Sequence, residues 1–362
     1  MSAQLPKEGR RDGRNIDPEL GALEGEGAQQ RVTQLRYPAP TPAVATSEPH
    51  SYYGQPVLKA PVWIDSIPLY FYVGGLAGAA SVLGAAADLV GGTRFVRLVR
   101  WCHLLGGAGD ALGGALLVVD LGRPERFLNM LRTFRVRSPM SMGSWILALS
   151  SAMNAAAMVL GNRRGALGVL GRLASACAGP LGAALSGYTA VLLNNTANPI
   201  WKHTHGTLPL LFMSSSVASA GAILAQLPVD ERSRRVARVY ELAGAAASLV
   251  TSVAAEREAA QSASVVRPLR EGASGVLWTA FRVCTTSGLA MSLLSRRRTW
   301  VNTAGSALIT AGALAMRFAV FKAGQASARD PHATFRPQRE ALKTALPSSV
   351  RSGADVSGTS TH

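Results

Sequence analysis

IPLYFYVGGLAGAASVLGAAADLV, residues 67–90, and LVRWCHLLGGAGDALGGALLVVDL, residues 98–121, decide the fold class of this chain. Each is about as long as the roughly 20 mostly apolar residues needed to cross a bilayer as a helix. In hydrocarbon every backbone N–H and C=O must be satisfied within the segment, and a helix does this from one strand of chain. The many Gly and Ala residues in both stretches point the same way, because small side chains let membrane helices approach closely.

Working outward, six further apolar stretches follow, at residues 140–160, 170–193, 208–227, 239–255, 275–294 and 301–321. Pro180 lies in the middle of the fourth, where a membrane helix tolerates it with a kink. The sixth is the shortest and carries Glu241 near its start. Together the eight predict an all-α polytopic membrane protein of about eight transmembrane helices, arranged as two four-helix bundles. Residues 1–65 form a polar tail too poor in apolar surface to fold, residues 66–322 the helical domain, and residues 323–362 a basic tail. No apolar run precedes Ile67, so the first span is expected to act as its own uncleaved insertion signal.

Composition supports this division. Hydrophobic residues make up 48% of the 362 and charged ones 16%, against about 25% charged in ordinary soluble proteins. The net charge of +16 raises the question of nucleic acid, but its location answers it. Residues 1–65 hold seven basic and eight acidic side chains, so the excess lies downstream, between the apolar blocks and in the C-terminal tail. Arginine placed there anchors and orients helices rather than tracking phosphates. Loops after odd spans carry 11 basic residues and loops after even spans 9, which leaves orientation open. A binding role for the arginines after the second span would put the odd loops inside. Cys102, Cys177 and Cys284 are far apart in apolar blocks, without the CxxC spacing of a metal or redox site, and are expected to be buried structural thiols.

DLGRPERFLNMLRTFRVRSPMSMGSW, residues 120–145, joins the second and third spans and is the richest connector in the chain. Asp120 and Arg123 are spaced for a local ion pair. Arg126, Arg132, Arg135 and Arg137 form a cationic ledge suited to an acidic partner or lipid phosphates. The plainer alternative is a positive loop that fixes topology. Ionisable groups within spans are costly and count as functional candidates. Those singled out are Asp88, His103, Asp110 and Glu241. His103 and Asp110 are seven residues apart, about two helical turns, and so share one face. With Asp88 they are spaced for a proton path. The plainer readings are an interfacial Asp88 and a His103 bonded to a backbone carbonyl. A bis-histidine haem would need two histidines within spans, and only His103 is so placed. His203 and His205 lie in the loop after the fourth span, and two ligands alone make a weak metal site.

Several stretches carry a resemblance. YYGQPVLKAPVW (52–63), YFYVGGLAGA (70–79), DLGRPERFLNMLR (120–132), SPMSMGSW (138–145), GYTAVLLNNTANPIW (187–201) and LPLLF (208–212) resemble the NrfD/PsrC family. These are the membrane subunits of polysulfide reductase-like and formate dehydrogenase-like complexes. FKAGQASARDP (321–331) is similar to actinobacterial members. The resemblance implies an eight-helix subunit of the cell membrane without haem, metal or iron–sulfur cluster. It would bind a quinone, menaquinone or ubiquinone, as substrate near one membrane face. Its partners would be a ferredoxin-like iron–sulfur subunit and a molybdopterin-type catalytic subunit. The family's quinone-site tyrosine falls on Tyr188, with His103 and Asp110 as further quinone-site candidates. Asp120, Arg123, Arg126 and Arg132 would serve partner docking or loop structure. The family often reads GYTG where this chain has Ala190, and a methyl group there is expected to narrow the pocket. Two alternatives remain at this level: a secondary transporter, suited by Pro180 and Asp110, and a structural anchor that has lost quinone chemistry.

Overall fold

A computed structural model describes residues 63–121, 138–260, 263–294 and 299–330, together with residues 58, 130–132, 134 and 135. In the N-terminal unit it describes only two short antiparallel strands, β1 (Asn15–Ile16) and β2 (Leu23–Glu24). Most of the rest of the described chain is helical. Apart from these two strands, residue 58 and residues 63–65, the expected polar tail lies outside the described residues, as does the basic tail beyond residue 330.

Among the described residues eight helices have 19 or more residues: α1 (Ser66–Gly91), α2 (Val96–Leu121), α3 (Pro139–Leu160), α4 (Ala166–Asn194), α6 (Leu208–Gln226), α7 (Glu231–Ala259), α9 (Gly272–Leu294) and α10 (Thr299–Arg329). Two short ones, α5 (Pro199–His203) and α8 (Ala263–Arg270), lie in connections. Five stretches are long and apolar enough to cross a membrane: 66–120, which holds α1 and α2, then 139–160, 166–194, 208–226 and 299–329. The chain is an all-α, multi-pass membrane protein. α7 starts with ERSRRVAR and ends with AEREA, so charge at both ends dilutes its apolar middle. α4 runs unbroken through Pro180.

Boundaries follow local chemistry. α1 turns into α2 through a short 3-10 turn at Gly92–Phe95, with Gly92 at φ +51, a conformation glycine adopts without Cβ strain. Ser138 caps α3, accepting from Ser141 N, and Pro139 occupies the first helical position, where its missing N–H costs nothing. Asp230 caps α7 by accepting from Ser233 N.

α1 packs on α2 and α4, and α3 on α2 and α4; α6 packs on α7 and α10, and α9 on α7 and α10. α1 and α4 both touch α6, and α1 also touches α10. The α1–α4 contact depends on glycine: a Cβ at Gly78 would overlap the Gly182 carbonyl, and one at Gly182 the Gly78 carbonyl. The main core joins Phe71, Leu185, Trp201, Leu211, Phe212, Trp278 and Phe321. A second cluster, with Leu83, Leu98, Cys102, Leu224 and Ala237, ties the end of α1 and start of α2 to the end of α6 and start of α7. The cysteines depart from expectation. Cys102 is buried, but Cys177 is exposed and Cys284 half-buried, because α4 and α9 each turn one flank outward.

Candidate functional site

The N-terminus of α1, the C-termini of α2 and α4 and the start of α3 enclose an apolar cleft of about 550 Å³. Ile67, Tyr70 and Phe71 come from α1, Leu117 and Asp120 from α2, Gly143 and Ser144 from α3, and Tyr188, Thr189 and Leu192 from α4. Trp63, Met130 and Met140 complete the lining. That figure includes the open mouth; the wall pattern, mostly apolar with few polar groups, is typical of small-molecule sites.

Two sequence stretches meet here for steric reasons. Gly143, within SPMSMGSW, lies against the Tyr188 ring, and a Cβ there would overlap it. The Tyr188 hydroxyl is buried against the Gly143 backbone N–H, and its own proton has no acceptor among the described residues. A buried hydroxyl proton without an acceptor is costly, so it is poised to donate to a ligand. Asp120 also faces the cleft; its Oδ1 accepts from Ile64 N at 3.5 Å.

The ANPIW stretch supports the cleft from behind. Trp201 on α5 is almost fully buried, donates from Nε1 to the Val320 carbonyl at 3.0 Å, and stacks on Trp63 at 6.1 Å. Asn198 Nδ2 donates to the Gly324 carbonyl at 2.6 Å. A Cβ at Gly324 would enter the Trp201 ring, so this glycine lets α10 approach. Trp63, a wall of the cleft, is thereby tied to the second set of helices.

His103 and Asp110 lie outside the walls of the cleft, in a buried network behind it. Both are almost fully buried, at 2% and 1% exposure. Asp110 Oδ2 accepts from Ser150 Oγ at 2.8 Å and from Asn154 Nδ2 at 3.2 Å. Asn154 Oδ1 accepts from Ser81 Oγ at 3.0 Å and lies 2.9 Å from His103 Nδ1. Because a carboxylate only accepts, the amide nitrogen of Asn154 faces Asp110 and its oxygen faces the imidazole. His103 therefore carries a proton on Nδ1. Its Nε2 is 2.9 Å from Ser175 Oγ. The backbone-carbonyl alternative for His103 does not hold, since both ring nitrogens bond side chains.

The network reaches both ways. Tyr70, a wall of the cleft, is within electrostatic reach of both Tyr188 and Asp110. At the other end, His103 and Ser175 line a second, more polar opening of about 750 Å³ together with Asp88, Arg100 and Asn162. Asp88 is half-buried there, near the end of α1.

The other sequence candidates fall as follows. Arg132 is exposed, while Arg123, Arg126 and Arg137 lie outside the described residues. Glu241 is buried on α7 and accepts from Ser306 Oγ on α10 at 2.8 Å, away from the cleft. His203 Nδ1 and His205 Nδ1 each face a backbone carbonyl, of Pro199 and Lys202. Ala190 is fully buried in the main core rather than in the cleft wall, so its methyl group does not narrow the cleft. Sequence reasoning missed Tyr70, Asn154 and Arg317. Tyr70 lay within a quoted motif, and a lone Asn in an apolar span is itself a signal. Arg317, on α10, is 1% exposed, donates to the Phe212 carbonyl at 2.9 Å and to Ser216 Oγ at 2.8 Å, and stacks 3.8 Å over the Phe212 ring.

Fold and cleft together define a multi-pass α-helical membrane protein with a tyrosine-bearing apolar site between four helix ends. Residues 58–328 match the family described as Polysulphide reductase, NrfD, and the chain belongs to that family. It is thus a membrane subunit of the polysulfide reductase type. No curated protein matches the chain.

Proposed function

We propose that this chain exchanges electrons between an iron–sulfur partner subunit and the membrane quinone pool, with the quinone ring seated in the Tyr188 cleft. The observation that carries this reading is the buried Tyr188 hydroxyl, whose proton has no acceptor among the described residues, in the wall of an apolar cleft. A quinone carbonyl accepts the hydrogen bond that this hydroxyl lacks, and the ring finds apolar contact with Phe71, Leu117 and Leu192. Quinone reduction takes up two protons with two electrons, and quinol oxidation releases them. Tyr188 and Asp120 stand where such protons enter or leave.

Behind them, Asp110 and His103 hold protons within the helices. Asn154 orients both, and serves as a positioning residue because an amide is not itself a proton carrier. The line from Tyr70 through Asp110 and His103 to the Asp88 opening supports proton exchange with the membrane end opposite the cleft. Ser138–Trp145 and Arg132, beside the cleft mouth, support docking of a ferredoxin-like subunit at that end, which in turn would meet a molybdopterin-type catalytic subunit. The eight long helices, in two mutually packed sets of four, support eight spans in two bundles, and we place the protein in the cell membrane. Ala190's position in the core removes the motive for an inert anchor, and the continuity of α4 through Pro180 removes a broken helix as a motive for transport.

The test is purification in mild detergent with partners retained, followed by quinol-analogue oxidation or quinone reduction. Recovery of iron–sulfur and molybdopterin proteins with turnover that depends on Tyr188 is the expected result. A chain that purifies alone under several mild detergents, with no quinone-dependent activity, overturns the reading.

A further inference from the structure

A second cleft, unrelated to the first, opens among the C-termini of α6 and α9 and the N-termini of α7 and α10. It encloses about 1730 Å³ including its open mouth, and three guanidinium groups, Arg234, Arg235 and Arg238, line it from α7. Arg234 stands in the first turn of α7, where the helix macrodipole is positive and cations are disfavoured, and Arg235 and Arg238 follow in the second, so three like charges are clustered. Their charge is incompletely answered within the protein. Glu231 pairs with Arg234 at 3.2 Å, and buried Glu241 is within electrostatic reach of Arg238. Among the described residues neither Arg235 nor Arg238 forms an ion pair.

Independent observations on other helices point to a ligand. Asn302, 6% exposed on α10, lines the cleft with its Oδ1 unpartnered among the described residues, and the Ser292 hydroxyl on α9 lines it likewise without a partner among them. Next to these polar groups are Val239 and Leu293, 63% and 56% exposed. The cleft therefore has a cationic part joined to an outward-facing apolar part.

We infer that this cleft binds the phosphate headgroup of an anionic membrane lipid, with its acyl chains lying along Val239 and Leu293. The guanidinium groups of Arg235 and Arg238 donate to the phosphate oxygens. The Ser292 hydroxyl can donate to a phosphate or ester oxygen, and Asn302 Oδ1 can accept from a headgroup hydroxyl. A bound headgroup offsets the mutual repulsion of these clustered arginines and ties α7 to α9 and α10. A free phosphate shares the headgroup chemistry but makes no use of the exposed apolar wall, which is why the lipid is preferred.

The test is thermal unfolding of the detergent-purified full chain with added phosphatidylglycerol, phosphatidylcholine or inorganic phosphate, paired with native mass spectrometry of retained lipid. Phosphatidylglycerol alone is expected to raise the melting temperature. The Arg235→Gln/Arg238→Gln variant should retain it about thirtyfold more weakly, while Arg163→Gln/Arg164→Gln, in the α3–α4 connection outside the cleft, behaves as wild type. Equal stabilisation by inorganic phosphate overturns the lipid assignment, and equal stabilisation by phosphatidylcholine overturns anion recognition. Undiminished phosphatidylglycerol retention by the Arg235/Arg238 variant overturns the site itself. Should that double variant not fold, Arg235→Gln alone is read by the same mass-spectrometric retention.

Discussion

Each set of four long helices buries one carboxyl group on its second member, Asp110 on α2 and Glu241 on α7, yet the surroundings differ. Asp110 accepts from Ser150 and Asn154, and through Asn154 it is joined to His103, whose ring in turn reaches Ser175 and a polar opening. On its other side stands Tyr70 and the Tyr188 cleft. Glu241 bonds Ser306, and Ser306 also accepts from Gln226. That line runs only towards the arginine cleft. A buried acid is costly wherever it lies, so burial alone does not mark function. What distinguishes Asp110 is a hydrogen-bonded path to one opening and nearness to Tyr70, a wall of the cleft at the opposite helix ends.

The sharpest way to break the comparison is to remove the packing that holds the first set together. Gly78→Leu places a side chain against the Gly182 backbone, which no rotamer relieves. The expected yield of folded protein, read by size-exclusion chromatography of the detergent extract, is about a tenth of wild type or less. The corresponding volume added at an outward site, Ala86→Leu, should leave the yield unchanged.

Next in size is Tyr188→Phe, which keeps the ring over Gly143 and deletes only the hydroxyl. Quinone-linked turnover should fall by about tenfold to a hundredfold with folding intact. An unchanged rate would move the site away from this cleft. The comparison itself is tested by Asp110→Asn against Glu241→Gln. The first is expected to slow turnover about tenfold, the second to stay within about twofold of wild type. Equal losses would show that the two acids serve one function.

The smallest effect concerns Asp230 at the start of α7. The Ser233 hydroxyl, and then the Ser233 N–H, hold its carboxyl below the ordinary value of 3.8. A carboxyl lowered in the folded state contributes stability above its unfolded value, and that contribution disappears as pH falls through the folded one. Asp230→Ala should therefore melt slightly below wild type at neutral pH, and the gap should close only in strongly acidic solution.

Much of the fold was legible in the chain. All eight predicted apolar runs correspond to long helices, because a long apolar run satisfies its backbone locally only as a helix. The ends of the sixth and eighth were less legible. α7 starts at Glu231 and α10 extends to Arg329, since charged turns beyond the apolar part are held by caps and packing rather than by hydropathy. Of the candidate site, Tyr188 was reached through motif resemblance and lines the cleft, whereas Asp120, expected to serve docking or loop structure, lines it as well. Tyr70 was not, because nothing in its spacing shows that α1 and α4 meet at Gly78 and Gly182.

The sequence by itself determined the class of protein, the helices and the residues too polar to be buried without reason. The tertiary structure decided how those residues are grouped: Tyr188 with Tyr70 and Asp120, His103 with Asp110 through Asn154, and Glu241 apart from both. Apolar length is a local property that each segment states alone. Which side chains share a cleft depends on close approach between helices distant in the chain, and a few glycines set that approach.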